Sequence, residues 1–368
     1  MNISVIGIGK LGLGFSLKLE SKGFDVLGVD INQKYVETLN DKTLKTKEPL
    51  FEELLKKSNN FRATTSLEEG LDFSDLIFII IQTPNSGGDK FYDHSLLSNL
   101  LSKINSFKSQ NKDIVIGCTV MPKYIDTIGK LLLEDCENCF LSYNPEFVAQ
   151  GDIIKGFSKP DIILVGTENP DLEPKIHEIY DAMCDNKPKF CFLTPLEAEI
   201  VKISINGYIT TKLSFANMIS DICDTTGADK NKVLDSVGGD NRIGSSYFKP
   251  GYSFGGPCFP RDTLALKLFV DQCNVNSGLL YSTTDYNNYH VWFQAKQLLD
   301  EDLDEYVFEN VCFKEDSKVP IIEESAKLKI AKFLTEQGKK VIIKDQIQLV
   351  EEVKKEYGNI FSYEVIMK

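Results

Sequence analysis

Gly7-Ile8-Gly9-Lys10-Leu11-Gly12 follows a short apolar run at residues 3–6 and opens a stretch of helical spacing at residues 11–22. In a turn from a strand to a helix, the first glycine permits a tight bend and the second lets a ligand approach the backbone. The third lets the helix pack closely against the strand. Phosphates bind at the N-terminus of such a helix, where unpaired N–H groups and the helix dipole favour anions. The segment therefore predicts a dinucleotide-binding βαβ unit.

Asp30 follows a second predicted strand at residues 24–29 and an intervening helix that Gly23 is expected to end. A carboxylate at this position accepts hydrogen bonds from the ribose hydroxyls of an adenosine and repels a 2′-phosphate. The expected cofactor is therefore NAD rather than NADP. The alternative is a structural glycine turn that binds nothing.

The order of predicted strands and helices divides the chain into three regions. Apolar runs at 76–81, 113–117 and 162–166 read as further strands of one parallel sheet. After Pro195, helical spacing continues over residues 196–226, followed by a shorter helix at 230–237, a glycine-rich loop at 238–260 and a helix at 263–270. The C-terminal part predicts a strand at 306–313, a helix at 323–336 and a strand at 340–344. We expect an α/β fold with a Rossmann-like doubly wound parallel sheet at 1–185, a central long-helix region at 186–295 that forms either a spine between domains or a dimerisation face, and a short α/β domain at 296–368.

Composition narrows the class of function. The 368 residues carry a net charge of -13, which opposes binding to nucleic acid. The longest apolar run, 76–81, is too short to span a bilayer, and Met1-Asn2-Ile3-Ser4 lacks the basic start of a signal peptide. Nine scattered cysteines, an odd number, are typical of a reduced compartment, so a cytoplasmic location is expected. The three histidines stand far apart, so no metal site is expected.

Gly255-Gly256-Pro257-Cys258-Phe259-Pro260-Arg261-Asp262 is the second informative segment. Pro260 is well placed as the first residue of a helix, which puts Cys258 just ahead of a helix N-terminus that would stabilise a thiolate. The alternative for Cys258 is an ordinary buried cysteine. Asp262 either activates water or caps the helix.

Three more residues are candidates to assist such a nucleophile. Lys202 and Asn206 are four residues apart on the long predicted helix and therefore share a face, where they form either an oxyanion site or a solvated surface pair. Glu146, in Asn144-Pro145-Glu146-Phe147, follows an apolar run and is either a carboxylate in a cleft or an acid at a helix start.

Together these motifs resemble the UDP-glucose/GDP-mannose dehydrogenase family over roughly residues 1–290. Beyond the glycine turn, the resemblance rests on Thr83-Pro84, Thr119-Val120-Met121-Pro122, Asn144-Pro145-Glu146-Phe147, residues 199–217, Arg242-Ile243-Gly244 and residues 254–262. The chain departs from the family pattern at Val148-Ala149-Gln150-Gly151, at Lys123-Tyr124 and at Val311-Cys312. The C-terminal region resembles the family's substrate-binding domain mainly through Phe313-Lys314 and is shorter.

The resemblance implies an NAD-dependent oxidation of the C6 hydroxymethyl group of a nucleotide sugar to a uronate, through a thiohemiacetal and a thioester on Cys258. It implies that Lys202 and Asn206 stabilise the oxyanion, that Asp262 supports the lysine or the attacking water, and that Glu146 is the acid/base, with Thr119 positioning a water. The implied cofactor contacts are Gly7, Ile8, Gly9, Lys10, Leu11, Gly12, Asp30, Thr83, Thr119, Glu146 and Arg261. The implied substrate contacts are Phe147, Lys202, Asn206, Tyr247, Lys249, Phe254, Gly255, Lys314 and Arg242, which matches an arginine reaching across a dimer interface.

UDP-glucose is the first expectation for the substrate, because Cys258-Phe259-Pro260-Arg261-Asp262 is closest to that branch of the family. GDP-mannose and UDP-N-acetylhexosamines are alternatives. Two further classes remain open: a two-electron 3-hydroxyacid-type dehydrogenase, which needs no cysteine, and a non-catalytic protein that binds a nucleotide sugar. A homodimer is expected, without nucleic-acid or membrane partners.

Overall fold

The fold is described from a computed structural model, for residues 1–84, 92–148, 150–314 and 319–366. The chain divides into two units, Met1–Lys202 and Ile203–Lys368. The departures from the family pattern at Ala149 and at part of the segment after Lys314 lie outside the described residues. The three-domain boundaries remain a prediction.

The first unit is built on one eight-stranded sheet with the strand order β3-β2-β1-β4-β5-β6-β7-β8. The strands are β1 Asn2–Ile6, β2 Asp25–Val29, β3 Phe61–Thr64, β4 Leu76–Ile79, β5 Asp113–Ile116, β6 Phe140–Tyr143, β7 Ile162–Gly166 and β8 Lys189–Leu193. All neighbouring strands are parallel except β6 and β7, which meet as an antiparallel pair at Tyr143 and Gly166. The predicted doubly wound sheet is confirmed, with one antiparallel junction that the sequence did not indicate.

Helices cover both faces of this sheet. Successive residues of a strand point to opposite faces and pack into two separate apolar cores. On β4, Leu76 and Phe78 belong to one apolar cluster, while Ile77 and Ile79 belong to the other. This two-sided burial explains why the strands are continuous apolar runs. The helical segments are α1 Lys10–Glu20, α2 Gln33–Asn40, α3 Phe51–Lys57, α4 Leu67–Phe73, α5 Ser95–Ser106, a π-helical turn Ile125–Gly129, α6 Ile153–Ser158 and α7 Leu172–Met183.

The long helix α8 extends from Pro195 to Thr226, within one residue of its prediction, and continues from the first unit into the second. The remaining helices are α9 Lys230–Gly238, α10 Phe259–Gln272, α11 Gly278–Asp300, α12 Ala326–Glu336 and α13 Ile347–Tyr357. α10 begins four residues before the predicted 263 and includes Pro260 at its start. α12 begins after Ser325, whose side chain accepts a hydrogen bond from the N–H of Leu328.

A small parallel sheet with the order β11-β10-β9 lies near the C-terminus, formed by β9 Glu305–Phe308, β10 Lys340–Asp345 and β11 Ser362–Val365. It has its own apolar core, which includes Tyr306, Leu334 and Ile343. Helix α11 was not predicted. Its buried positions include Thr283, Asn287 and His290, so the apolar period of an amphipathic helix is absent.

Candidate active site

The glycine turn between β1 and α1 has the geometry that a dinucleotide site requires. Gly7 has a φ of +88°, and a Cβ there would lie 2.6 Å from the carbonyl oxygen of Ile80. A Cβ on Gly12 would lie 2.0 Å from the carbonyl oxygen of Gly7. A Cβ on Gly9 would meet no heavy atom of the described residues within 4 Å. The first and third glycines therefore close the turn, and the second leaves open space at the N-terminus of α1.

Asp30 lies where β2 ends, and its carboxylate accepts a hydrogen bond from the N–H of Asn32. Tyr35, on α2, donates its hydroxyl to the carbonyl of Ile8 inside the glycine turn, at 2.9 Å. Burial, and then the charge of Asp30, raise the pKa of Tyr35 to about 12, so it keeps its proton. Tyr35 thus ties α2 to the turn. The open N-terminus at Gly9, with Asp30 at the end of the neighbouring strand β2, fits a dinucleotide that has free ribose hydroxyls.

Thr83 and Thr119 lie together beyond β4 and β5. The buried Thr83 hydroxyl donates to the carbonyl of Thr119 at 2.8 Å. Two residues on, the N–H of Met121 donates to Nε2 of His94. Burial lowers the pKa of His94 to about 4, so the ring is neutral and can accept this bond. His94 therefore fixes the segment that carries Thr119.

Glu146 and Lys202 form one group of polar residues in the first unit. Nζ of Lys202 donates to the carbonyl oxygen of Glu146 at 2.5 Å and lies 4.2 Å from the centroid of the Phe147 ring. The Glu146 carboxylate accepts a hydrogen bond from the hydroxyl of Tyr180 at 2.8 Å. Burial raises the pKa of Glu146 to about 7, although Tyr180 and Lys202 both act to lower it. Lys202 itself is buried, which contradicts the alternative of a solvated surface pair.

Cys258, Asp262 and Asn206 form the corresponding group in the second unit. Cys258 is the residue that precedes α10, and its side chain is exposed, so the alternative of a buried cysteine is wrong. The buried Asp262 carboxylate accepts a hydrogen bond from Nδ2 of Asn206 at 2.6 Å and lies 3.5 Å from Nε of Arg261. A carboxyl group whose pKa lies near 7 and an exposed thiol at a helix N-terminus are groups that suit the oxidation of an alcohol through a covalent intermediate.

The C-terminal region packs directly on the loop that carries Cys258. A Cβ on Gly255 would lie 2.1 Å from the carbonyl oxygen of Glu324, and the N–H of Gly256 donates to the carbonyl of Glu323. Gly256 has a φ of +76°, and a Cβ there would lie 2.4 Å from the ring of Phe313. The loop therefore needs glycine at both positions because chain from the C-terminal region fills the adjacent space.

The remaining predicted contacts include both buried and exposed residues. Phe254 is buried, and both its backbone groups bond to the Asn287 side chain. Tyr247, Lys249 and Lys314 are exposed, and the exposed Arg242 pairs with Asp240. Ile8 is buried, Leu11 is half-buried, and the exposed Lys10 donates to Gln150.

Comparison with known proteins gives the family. The NAD binding domain of the UDP-glucose/GDP-mannose dehydrogenase family matches residues 1–184, half of the chain, and the central domain of the same family matches residues 196–289. The chain belongs to this family. It is thus an NAD-dependent nucleotide-sugar 6-dehydrogenase, and the turn at Gly7, Gly9 and Gly12 fits that cofactor.

Individual members of the UDP-glucose/GDP-mannose dehydrogenase family are similar over most of the chain. The UDP-glucose 6-dehydrogenase of Rickettsia bellii is 29% identical over 313 residues, which cover 82% of this chain and 71% of the relative. The enzyme of the same name from Haloferax volcanii is 30% identical over 301 residues, which cover 78% and 70%. A solved UDP-glucose dehydrogenase from Pyrobaculum islandicum has a TM-score of 0.88 at 26% identity and covers 100% of this chain and 86% of that one.

Four residues that hold predicted site residues or their segments in place could not be identified from the sequence: Tyr35, His94, Tyr180 and Asn287. Each acts on a residue that is 27 or more positions away in the chain. A local motif carries no signal for such a partner. No helix among the described residues combines the length and apolar composition needed to cross a membrane.

Proposed function

We propose that this dehydrogenase oxidises UDP-glucose to UDP-glucuronate in a four-electron reaction with Cys258 as nucleophile. The observation that carries the proposal is the exposed Cys258 thiol at the N-terminus of α10, in the unit that also holds the Asn206–Asp262 pair. The curated relatives from Rickettsia bellii and Haloferax volcanii are named UDP-glucose 6-dehydrogenases, which supports the choice of sugar. A simple two-electron dehydrogenase would have no use for this thiol.

In the proposed reaction, bound NAD would supply the hydride acceptor, and each of the two oxidations would consume one NAD molecule. Glu146 takes the proton of the C6 hydroxyl through a water that Thr119 positions, which yields the C6 aldehyde. The Cys258 thiolate then forms a C–S bond to C6, and the resulting oxyanion accepts hydrogen bonds from Lys202 and Asn206 before it is protonated. The amide of Asn206 has two N–H groups, so the bond to Asp262 leaves one for the oxyanion.

The second oxidation removes the remaining hydrogen of C6 as hydride and the hydroxyl proton, which leaves a thioester. Water adds to the thioester carbonyl, the C–S bond breaks, and the uronate and the Cys258 thiol are released. Asp262, held by Asn206 and Arg261, orients the lysine or this water. Asp30 and the glycine turn hold the adenosine half of the cofactor, and Arg261 contacts it. The exposed residues Tyr247, Lys249, Arg242 and Lys314 bind the nucleotide sugar.

The test is a panel of UDP-glucose, GDP-mannose and UDP-N-acetylhexosamines with NAD, following NADH and the mass of the product. We expect UDP-glucose to gain one oxygen and lose two hydrogens with two NADH formed per sugar. Cys258→Ser should abolish uronate formation, whereas a two-electron enzyme would keep near-normal turnover in that variant. Turnover of another sugar alone would replace the substrate, and no NADH with any sugar would contradict the proposal and favour a binding protein.

We also propose a homodimer formed through α8. Tyr208, Phe215 and Ile222 stand at seven-residue intervals along this helix, so they form one stripe, and all three are exposed. An exposed aromatic and aliphatic stripe on a helix is a surface that a second helix can cover. We propose the cytoplasm as the compartment, supported by the odd number and scattered spacing of the nine cysteines.

A further inference from the structure

The hydroxyl of Tyr180 lies between two oxygen acceptors in the first unit. It is 2.7 Å from Oδ1 of Asn144 and 2.8 Å from Oε1 of Glu146. Tyr180, on α7, and Asn144, just after β6, are both buried. Both distances are those of O–H···O hydrogen bonds, so both contacts need a proton.

The two contacts of the Tyr180 hydroxyl cannot both be hydrogen bonds in both protonation states of Glu146. Nδ2 of Asn144 donates to the carbonyl of Leu164, so the Oδ1 that faces Tyr180 is an acceptor. The Tyr180 hydroxyl has one proton, and an ionised Glu146 has none to give. With Glu146 ionised, one of the two contacts therefore lacks a proton. With Glu146 protonated, the carboxyl donates to Tyr180 and the hydroxyl donates to Asn144, so both are satisfied.

The surrounding charges leave Glu146 as the group that titrates here. Tyr180 on α7 bonds to it, and Cys184, the residue after α7, interacts with its charge; burial raises the pKa of Tyr180 well above its usual range and that of Cys184 to about 11. From α8, the Lys202 cation lowers the pKa of Glu146, and from α1 Lys18 acts on Cys184. Tyr180 and Cys184 thus keep their protons while Glu146 changes charge near neutral pH.

We propose that Tyr180 and Asn144 form a two-position proton switch that holds Glu146 in place in both of its protonation states. The Tyr180 proton points at Asn144 while Glu146 is protonated, and turns to Glu146 when Glu146 gives its proton away. Asn144 competes for that proton, so it opposes the ionised form of Glu146, whereas Tyr180 supports it. The inference rests on the proposed acid/base role of Glu146, and it makes Tyr180 a positioning residue for that role.

The test compares the pH dependence of kcat/KM, with UDP-glucose and NAD, for the wild type, Tyr180→Phe and Asn144→Ala. Glu146 must be ionised to take a proton, so activity is lost on the acid side. Tyr180→Phe removes the donor to the carboxylate, and we expect the acid limb to move to higher pH by about one unit, the size of one hydrogen bond to a charged group. Asn144→Ala removes the competitor, and the limb should move to lower pH. Tyr124→Phe, which removes another buried hydroxyl, bonded to Ser98, should leave the limb unchanged.

An unchanged acid limb in Tyr180→Phe, or shifts of the same sign in both variants, overturns the switch. A ¹³C NMR titration of glutamate-labelled wild type, Tyr180→Phe and Glu146→Gln as the assignment control gives the pKa of Glu146 without turnover. A protein that makes no NADH from any sugar but whose Glu146 titrates higher in Tyr180→Phe would refute the proposed function and keep the switch. Should Asn144→Ala fail to fold, because Leu164 loses its partner, the Tyr180→Phe titration decides alone.

Discussion

Single buried residues set how the first unit responds to pH. Glu199, on α8, accepts hydrogen bonds from the N–H groups of Lys123 and Ile125, yet burial raises its pKa to about 7, as it does for Glu146. His94 behaves in the opposite way, since burial lowers its pKa to about 4. Stability should therefore fall as pH rises from 4.5 through 7 on account of the two glutamates, and fall as pH drops from 6.5 through 4 on account of the histidine.

Glu146→Gln isolates one of these effects. The folded pKa of Glu146, about 7, lies above its ordinary value of 4.5, so the neutral carboxyl stabilises the fold at low pH and this contribution is lost as pH rises through 7. A glutamine is neutral throughout. The Tm of the variant relative to wild type should therefore be higher at pH 8.5 than at pH 5, as measured by differential scanning fluorimetry. Glu134→Gln, at an exposed site, is the control, and an identical Tm difference at both pH values would contradict the expectation.

The local sequence raised candidates without deciding their roles. Cys258 stood out through the proline and glycines around it, and Lys202 and Asn206 through their shared helix face, but their catalytic roles came from the family resemblance and stay predictions. Their partners could not be predicted in this way. Tyr180 lies 34 positions from Glu146 in the chain, and in the sequence it has the pattern of an ordinary core residue of a helix. Only the folded sheet brings its hydroxyl to the Glu146 carboxylate.

At the scale of elements, the turn from β1 to α1 separates two uses of glycine. A Cβ on Gly12 would collide with backbone, because the carbonyl oxygen of Gly7 would lie 2.0 Å away. A Cβ on Gly9 would stand in open space, and the φ of Gly9, -60°, suits any residue. Gly12 is therefore required by the fold, and we expect Gly9 to be required by the ligand.

This difference predicts opposite outcomes for two alanine variants. Gly12→Ala should cost roughly 3 kcal/mol or more in the free energy of unfolding, because backbone must move. Gly9→Ala should keep the Tm of the wild type but weaken NAD binding by on the order of tenfold or more, since the methyl group occupies the approach to the phosphates. Chemical denaturation and calorimetric titration with NAD measure the two quantities. Normal NAD affinity in Gly9→Ala would mean that the phosphates do not approach α1 at this residue.

Elements with a strong apolar period were predicted to within a few residues, whereas others were missed. β1, β7 and α8 follow their patterns closely. β3, Phe61–Thr64, is only four residues long and carries a polar residue at every second position. The antiparallel junction of β6 and β7 also has no sequence signal, because strand direction depends on how the intervening chain crosses the sheet.

At the scale of the whole molecule, the proposed homodimer rests on the exposed stripe of Tyr208, Phe215 and Ile222 on α8. Ile222→Glu places a charge in this apolar stripe, and an apolar partner surface cannot compensate for the desolvation of that charge. We expect light scattering after size exclusion to give a dimer for the wild type and a monomer for this variant. Glu197→Gln, at an exposed position at the start of the same helix, should remain dimeric. A wild-type monomer at micromolar concentration would refute the proposed interface.

The close packing of Phe313 and Glu324 against Gly255 and Gly256 constrains how this protein can evolve and how it can be engineered. The glycine loop and the C-terminal region are complementary in shape. A side chain on Gly255 would occupy the volume of the Glu324 backbone, and one on Gly256 would occupy the volume of the Phe313 ring. A substitution in either region selects for a compensating change in the other. A chimaera that takes its C-terminal region from a relative must therefore also take the glycine loop of that relative.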